Sequence, residues 1–223
     1  MNRINKADFS LAAQRVLSAL GKFEPCWTLS GRAALWWLPG VPRPIAQLDL
    51  VWHGRDHLGT LTREVLRTLA AASLDSAKLG GDARRACLAS CDDESICLVR
   101  LKAEAAPPLE PPWPARLYGG SFRVERLREV LTTILVSLYE RPDVQDLEDA
   151  VLLLRSGLSL ERGLRDARCR NSQLSPQELA VRLTRFEVQD PESSEVSRLK
   201  LRRLQKYLAC EILKQSAPDS RAS

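Results

Sequence analysis

The sequence predicts an α/β (α+β) half followed by an all-helical half, and three observations carry that division. Up to about residue 104, short segments of strand character alternate with segments whose apolar residues recur at helical spacing. Between Ala105 and Pro114 the run AAPPLEPPWP places five prolines in ten residues, which no element interior tolerates because each proline removes a backbone donor. Beyond that connector only helical periodicity is legible. The expected domains are therefore residues 1–114 (α/β) and 115–223 (helical).

Each element has its own local reason. FSLAAQRVLSAL (Phe9–Leu20) spaces its apolar side chains for one helix face, and Gly21 is a natural stop. CWTL (Cys26–Leu29) reads as a short strand, and RAALWWL after Gly31 as a helix ended by Pro39-Gly40. AQLDLVWH (Ala46–His53) alternates with the strand period. LGTLTREVLRTLAAASL (Leu58–Leu74) is an amphipathic helix, and ESICLVRLKAE (Glu94–Glu104) a largely buried strand. In the second half, RVERLREVLTTILVSLYE, DLEDAVLLLRSG, SPQELAVRLTRF and SSEVSRLKLRRLQKYLACEIL each read as helices. The third opens on a Ser-Pro-x-Glu start, and Gly157 closes the second. There is no internal repeat, and the tail after Lys214 is polar.

Composition narrows the class. With 44% hydrophobic and 27% charged residues, the chain matches soluble globular proteins able to bury a core. A net charge of +5, carried mostly by arginine, allows an anionic partner without requiring one. The polar start MNRINKADFS lacks an apolar stretch behind it, and no run reaches the length of a membrane span, so neither a secretory signal nor a membrane partner is expected. Six scattered cysteines in a chain of this size are read as reduced thiols, which implies a cytoplasmic protein.

The chemistry concentrates between Leu29 and Gly54, LSGRAALWWLPGVPRPIAQLDLVWHG. A glycine turn feeding a helix offers free backbone N–H groups to an anion. A carboxylate on the following strand can carry Mg²⁺, and paired metals bridging carboxylates and phosphates run nucleotidyl transfer. The order of motifs resembles the nucleotidyltransferase fold and, within it, the AbiEii/AbiGii abortive-infection toxin family of bacteria. That family has L-T-G-G-T-A-L, then R-x-T-x-D-L-D, then R-x-x-x-x-D-L-x-D opening a leucine-rich helix. Here the corresponding stretches are LSGRAAL (Leu29–Leu35), RPIAQLD (Arg43–Asp49) and RPDVQDLEDAVLLL (Arg141–Leu154). The resemblance covers well over half the chain. It implies a nucleotidyltransferase-like mixed sheet with flanking helices, followed by a C-terminal helical domain.

The departures from that pattern matter as much as the matches. The family's first strand aspartate falls on Gln47, leaving Asp49; its threonine falls on Ile45; the second turn glycine falls on Arg32. The third carboxylate falls near Arg100, and the helix lysine near Thr133 or Ile134. An amide is a poor Mg²⁺ ligand and an arginine repels one, so the resemblance predicts a degraded site, with no metal ligands and no cofactor expected. It implies nucleotide or phosphate contacts from Ser30, Gly31, Arg32 and Arg43, and supporting roles for Arg141, Asp146 and Asp149. Arg32 either clamps a phosphate bidentately or, as the favoured reading, fills the vacant pocket as a salt bridge to Asp49.

Three functions follow as expectations. The first is a degraded nucleotidyltransferase-like protein that binds a nucleotide, RNA or a protein. The second is an active toxin with Asp49 as catalytic residue, joined by Asp56, Glu104 or Asp149, using Mg²⁺ to move a nucleotide from an NTP to tRNA or protein. The third is a regulatory interaction module. The family's partners, NTP, tRNA or other RNA, and a cognate antitoxin or other protein, are implied by the resemblance alone.

Other features have simpler readings. His53 and His57 have metal-ligand spacing, but a solvated loop is favoured because no further ligand follows. Cys87, Cys91 and Cys97 lack the spacing of a zinc knuckle and read as structural thiols. Adjacent Trp36 and Trp37 on a helix point about 100° apart, so at most one could stack on a base. Asp146, Glu148 and Asp149 complement a helix N-terminus without any catalysis. Arg198, Arg202, Arg203 and Lys206 give the last helix a basic strip suited to RNA or a partner, although such strips are usually solvated faces.

Overall fold

The computed structural model describes residues 8–23, 27–42, 44–187 and 195–216. The chain forms two compact units, Met1–Val130 and Leu131–Ser223.

The first unit contains α1 (Leu11–Leu20), β1 (Thr28–Ser30), α2 (Gly31–Ala34), β2 (Gln47–His53), α3 (Leu61–Ala71), β3 (Asp75–Gly81), β4 (Arg85–Cys91), β5 (Ile96–Glu104), β6 (Trp113–Leu117) and β7 (Gly120–Val124). The seven strands make one sheet in the order β3-β4-β5-β2-β1-β7-β6. Pairing is mixed: β2 runs antiparallel to β1 and parallel to β5, and β1 runs parallel to β7. The crossover between β2 and β5 contains α3 and the β3–β4 hairpin.

Alternation assigns the two faces of the sheet. On β5, Cys97, Val99, Leu101 and Ala103 are buried, while Leu98, Arg100, Lys102 and Glu104 are half-exposed. On β2, Leu48, Leu50 and Trp52 are buried, and Trp52 meets the Trp27 ring edge-on at 4.8 Å. Helix α1 contributes Ala12, Ala13, Val16, Leu17 and Leu20 to this core and packs on α3, β4, β5 and β7. Its start is fixed by Ser10, whose hydroxyl accepts from the Ala13 N–H at 3.2 Å. Its end lies where Gly21 meets Gly120: a Cβ on Gly21 would stand 2.2 Å from the Gly120 Cα, so neither position admits a side chain.

Helix α4 (Leu127–Glu140) crosses the boundary, and the second unit continues with α5 (Val144–Arg155), α6 (Leu160–Arg170), α7 (Pro176–Arg185) and α8 (Glu195–Ser216). Three N-caps set the starts. Asp143 accepts from Gln145 N–H at 2.7 Å, Ser159 from Arg162 N–H at 3.2 Å, and Ser175 from Glu178 N–H at 3.4 Å. After α5 the chain turns through Gly157, whose φ of +99° is open to glycine at little cost. Gly163 on α6 lies against Leu131 and Leu135 of α4. The α4 residue Tyr139 donates its hydroxyl proton to Gln173 O or Glu178 Oε2, at 2.8 and 2.9 Å, with the Arg182 guanidinium 4.5 Å above its ring. Helix α8 packs its Leu208, Ala209 and Ile212 face on α5, α6 and α7.

Four features of the fold differ from expectation. The sheet extends past residue 114 through the β6–β7 hairpin, because Pro114 pairs antiparallel on an outermost strand, where a missing donor is tolerated. The β3–β4 hairpin occupies 75–91, which carries no strand signal because β3 is exposed along nearly its whole length. Helix α6 has no counterpart among the expected helices, because its sequence is densely charged and carries Gly163 in its middle. Helix α2 is four residues long, not seven, so Trp36 and Trp37 lie on turns and the helical angle between them does not apply.

Candidate functional site

The β1–β2 corner is built from the backbone outward. Ser30 ends β1 directly across from Asp49, and the chain then turns through Gly31 at φ +54°. A Cβ at residue 31 would lie 2.6 Å from Asp49 Oδ2, so glycine is needed both for the backbone angle and for the carboxylate packed against it. Ser30 is buried and its hydroxyl makes no capping bond to α2. With four residues, α2 is too short to bring a helix dipole to bear on an anion.

Asp49 is held by its neighbours on the sheet. Two residues earlier on the same face, the Gln47 amide donates to Asp49 Oδ2 at 3.1 Å. Across the parallel pairing, the residue opposite Asp49 is Arg100, whose Nη1 lies 3.9 Å from Oδ1. The Asp49 side chain is 23% exposed and that of Arg100 43%, so water screens this pair. Behind the sheet, burial pushes the Cys97 thiol up to about 12, with the Asp49 carboxylate adding to the effect, which leaves that thiol unreactive.

A nucleotidyltransferase fold implies Mg²⁺, and the donor set at this corner does not fit it. Asp49 has an amide and a guanidinium beside it where further carboxylates are needed. Among the described residues, no three His, Cys, Asp or Glu side chains come together as a metal site.

The remaining candidates belong to both units. Arg32 is half-buried and engaged, and Arg43 lies outside the described residues. In the second unit, Arg141 is exposed just before α5, Asp146 lies in the first turn and Asp149 is buried in the second. The capping acid is Asp143 rather than any of the motif acids, and its signal in the sequence is an acid directly preceding an apolar-periodic run. Arg202, Arg203 and Lys206 are exposed on α8, while Arg198 lies on α8 with its side chain outside the described residues.

The two histidines separate. His57 is exposed and paired with Asp56 at 2.5 Å, which holds that carboxyl below the usual range. His53 is mostly buried at the end of β2, contrary to the expected solvated loop, with Nε2 3.5 Å from Glu125 Oε1. Glu125 was not foreseen, since a single acid between a strand and a helix carries no sequence signal. Trp37 packs edge-on against Trp113 at 5.8 Å and so serves the fold.

This mixed sheet, with its glycine turn and strand aspartate at the β1–β2 corner, has the nucleotidyltransferase fold. MenT4, a nucleotidyltransferase toxin from Mycobacterium tuberculosis H37Rv, superimposes with a TM-score of 0.59 at 15% identity, over 95% of this chain and 87% of that one. An antigenic nucleotidyltransferase-like protein from Paracoccidioides brasiliensis gives a TM-score of 0.48 at 18% identity, over 90% and 94% of the two chains. JHP933 from Helicobacter pylori gives 0.47 at 16%, over 92% of each. No family model matches the chain, and no curated protein matches it in sequence. No helix among the described residues is long and apolar enough to cross a membrane.

Proposed function

We propose that this chain is a catalytically degraded nucleotidyltransferase-like protein that binds a phosphorylated ligand, a nucleotide above all, without a divalent metal. The observation that carries the reading is the pairing of Asp49 with Gln47 and Arg100. Two-metal transfer needs clustered carboxylates, and a guanidinium opposite the aspartate raises the cost of bringing a dication there. The same guanidinium is suited to a phosphate, which an arginine can grip through two parallel N–H bonds. The motif order shared with the AbiEii/AbiGii toxins and the fold shared with MenT4 support a toxin-type ancestry and a cytoplasmic, bacterial setting. An RNA or an antitoxin-like protein is the corresponding macromolecular partner.

Calorimetric titration of ATP, GTP, CTP and UTP, each with and without Mg²⁺, tests this. The expected result is binding of at least one nucleotide that ignores Mg²⁺ and is lost in Arg100→Ala or Arg32→Ala. Binding that requires Mg²⁺, or nucleotide transfer to tRNA that Asp49→Ala abolishes, would replace the proposal with an active enzyme.

A further inference from the structure

Helix α8 has two faces, and packing accounts for only one. Gln205, Leu208, Ala209 and Ile212 are buried, with the Gln205 amide donating to Phe186 O at 2.7 Å. On the other side, Leu199, Arg203, Lys206, Cys210 and Leu213 are all exposed. Their spacing of four, three, four and three residues keeps them on a single stripe of the helix, roughly 21 Å long. Leu199 and Leu213, at its two ends, are each 49% exposed, and Tyr207 beside it is 41% exposed. Lys200 and Lys214 pair with Glu148 and Glu211, at 3.8 and 2.6 Å. Among the described residues no ion pair reaches Arg202, Arg203 or Lys206.

From this pattern we infer that the exposed face of α8 is a docking surface for an acidic amphipathic helix of another protein. The two leucines and the tyrosine gain by leaving water only if the partner offers apolar side chains. The three cations between and beside them select acidic residues at the partner's flanking positions. A nucleic-acid strand would satisfy the cations and leave both leucines in water, so RNA is disfavoured at this face. A second copy of the chain would set like charges against each other across a two-fold axis, which disfavours self-association through it. The surface is small, which points to a transient complex of roughly micromolar affinity. The inference is independent of the nucleotide reading, since it concerns only residues of α8.

The test uses the full chain and a fluorescein-tagged synthetic helix of about three heptads, with leucine at the a and d positions and glutamate at e and g. Anisotropy at about 0.15 M salt should give roughly micromolar binding, absent when the glutamates are replaced by lysines. Arg203→Glu with Lys206→Glu should weaken it about tenfold or more, and Leu199→Ser with Leu213→Ser about fivefold or more. The charge reversals should leave melting nearly unchanged, and the serine pair should lower it only slightly, because Leu199 and Leu213 are half-exposed helix positions. In a Cys169→Ser background, bound peptide should slow alkylation of Cys210, which lies inside the stripe. No binding of the acidic helix, an unchanged Cys210 rate at saturation, or tighter binding of a short RNA duplex that ignores the leucine substitutions would each overturn the inference.

Discussion

In the first unit Asp49 sits on β2 between an amide on its own strand and a guanidinium on the next, packed against a glycine whose φ of +54° and closeness to the carboxylate make any side chain there costly. In the second unit three acids stand at the start of α5: Asp143 caps, Asp146 lies in the first turn, and Asp149 is buried in the second. One unit therefore surrounds a single strand carboxylate with an amide, a guanidinium and a tight turn, while the other places three acids along the start of one helix. A residue's chemical type does not mark a site. The exclusion of alternatives around it does.

All five tryptophans lie in the first unit, so tryptophan fluorescence reads that unit, whereas far-ultraviolet circular dichroism is dominated by the helices. The largest expected effect is in the helical unit: Leu153→Ala removes a fully buried α5 side chain, with a loss of about 3 kcal/mol, seen in urea unfolding followed by circular dichroism. A loss under about 1 kcal/mol would mean that α5 is not part of that core.

Next comes Gly31→Ala, which combines strain at φ +54° with the close approach of Asp49; about 2 kcal/mol is expected from the fluorescence transition. Adding Asp49→Ala should recover part of that loss, because the contact is removed while the backbone strain remains. Strict additivity of the two substitutions would show that the carboxylate and the turn are not coupled.

Asp143→Ala should cost about 1 kcal/mol of stability through the lost cap, and Asp146→Ala clearly less. The reverse ranking would move the structural role onto the motif acid and weaken the contrast between the units.

The smallest effect is a pH dependence. Bonds from Arg182 and then Tyr139 hold the Glu178 carboxyl below its usual 4.5. A depressed carboxylate stabilises the fold fully above its unfolded value and loses that contribution as pH falls through the lowered one. Stability should therefore decline below about pH 4.5, and Glu178→Gln should flatten that decline without affecting the neutral range much. The pair is exposed, so salt should shrink the difference.

Legibility in the sequence followed burial contrast. Strands β2 and β5 were readable because each alternates large apolar residues with polar ones, and α1, α3 and α5 because their apolar spacing is regular. Strand β3 buries almost nothing, and β4 buries the small residues Ala86 and Ser90 beside Leu88, so the hairpin left no hydrophobic trace. Of the site, Gly31 and Asp49 could be picked out as an unusual pair. The bond from Gln47 could be anticipated in kind, since residues two apart share a face of a strand.

By itself the sequence determined the α/β-then-helical order, the helix stops at Gly21 and Gly157, and the presence of Gln47 two residues before Asp49 on one strand, because periodicity, backbone freedom and residue type are local properties. Only the tertiary structure decided that Arg100 faces Asp49, that His53 is mostly buried beside Glu125, and that one stripe of α8 stays in water. Strand register and helix packing bring together residues tens of positions apart. Their contacts depend on which faces the whole chain can bury at once, and no short stretch of it carries that information.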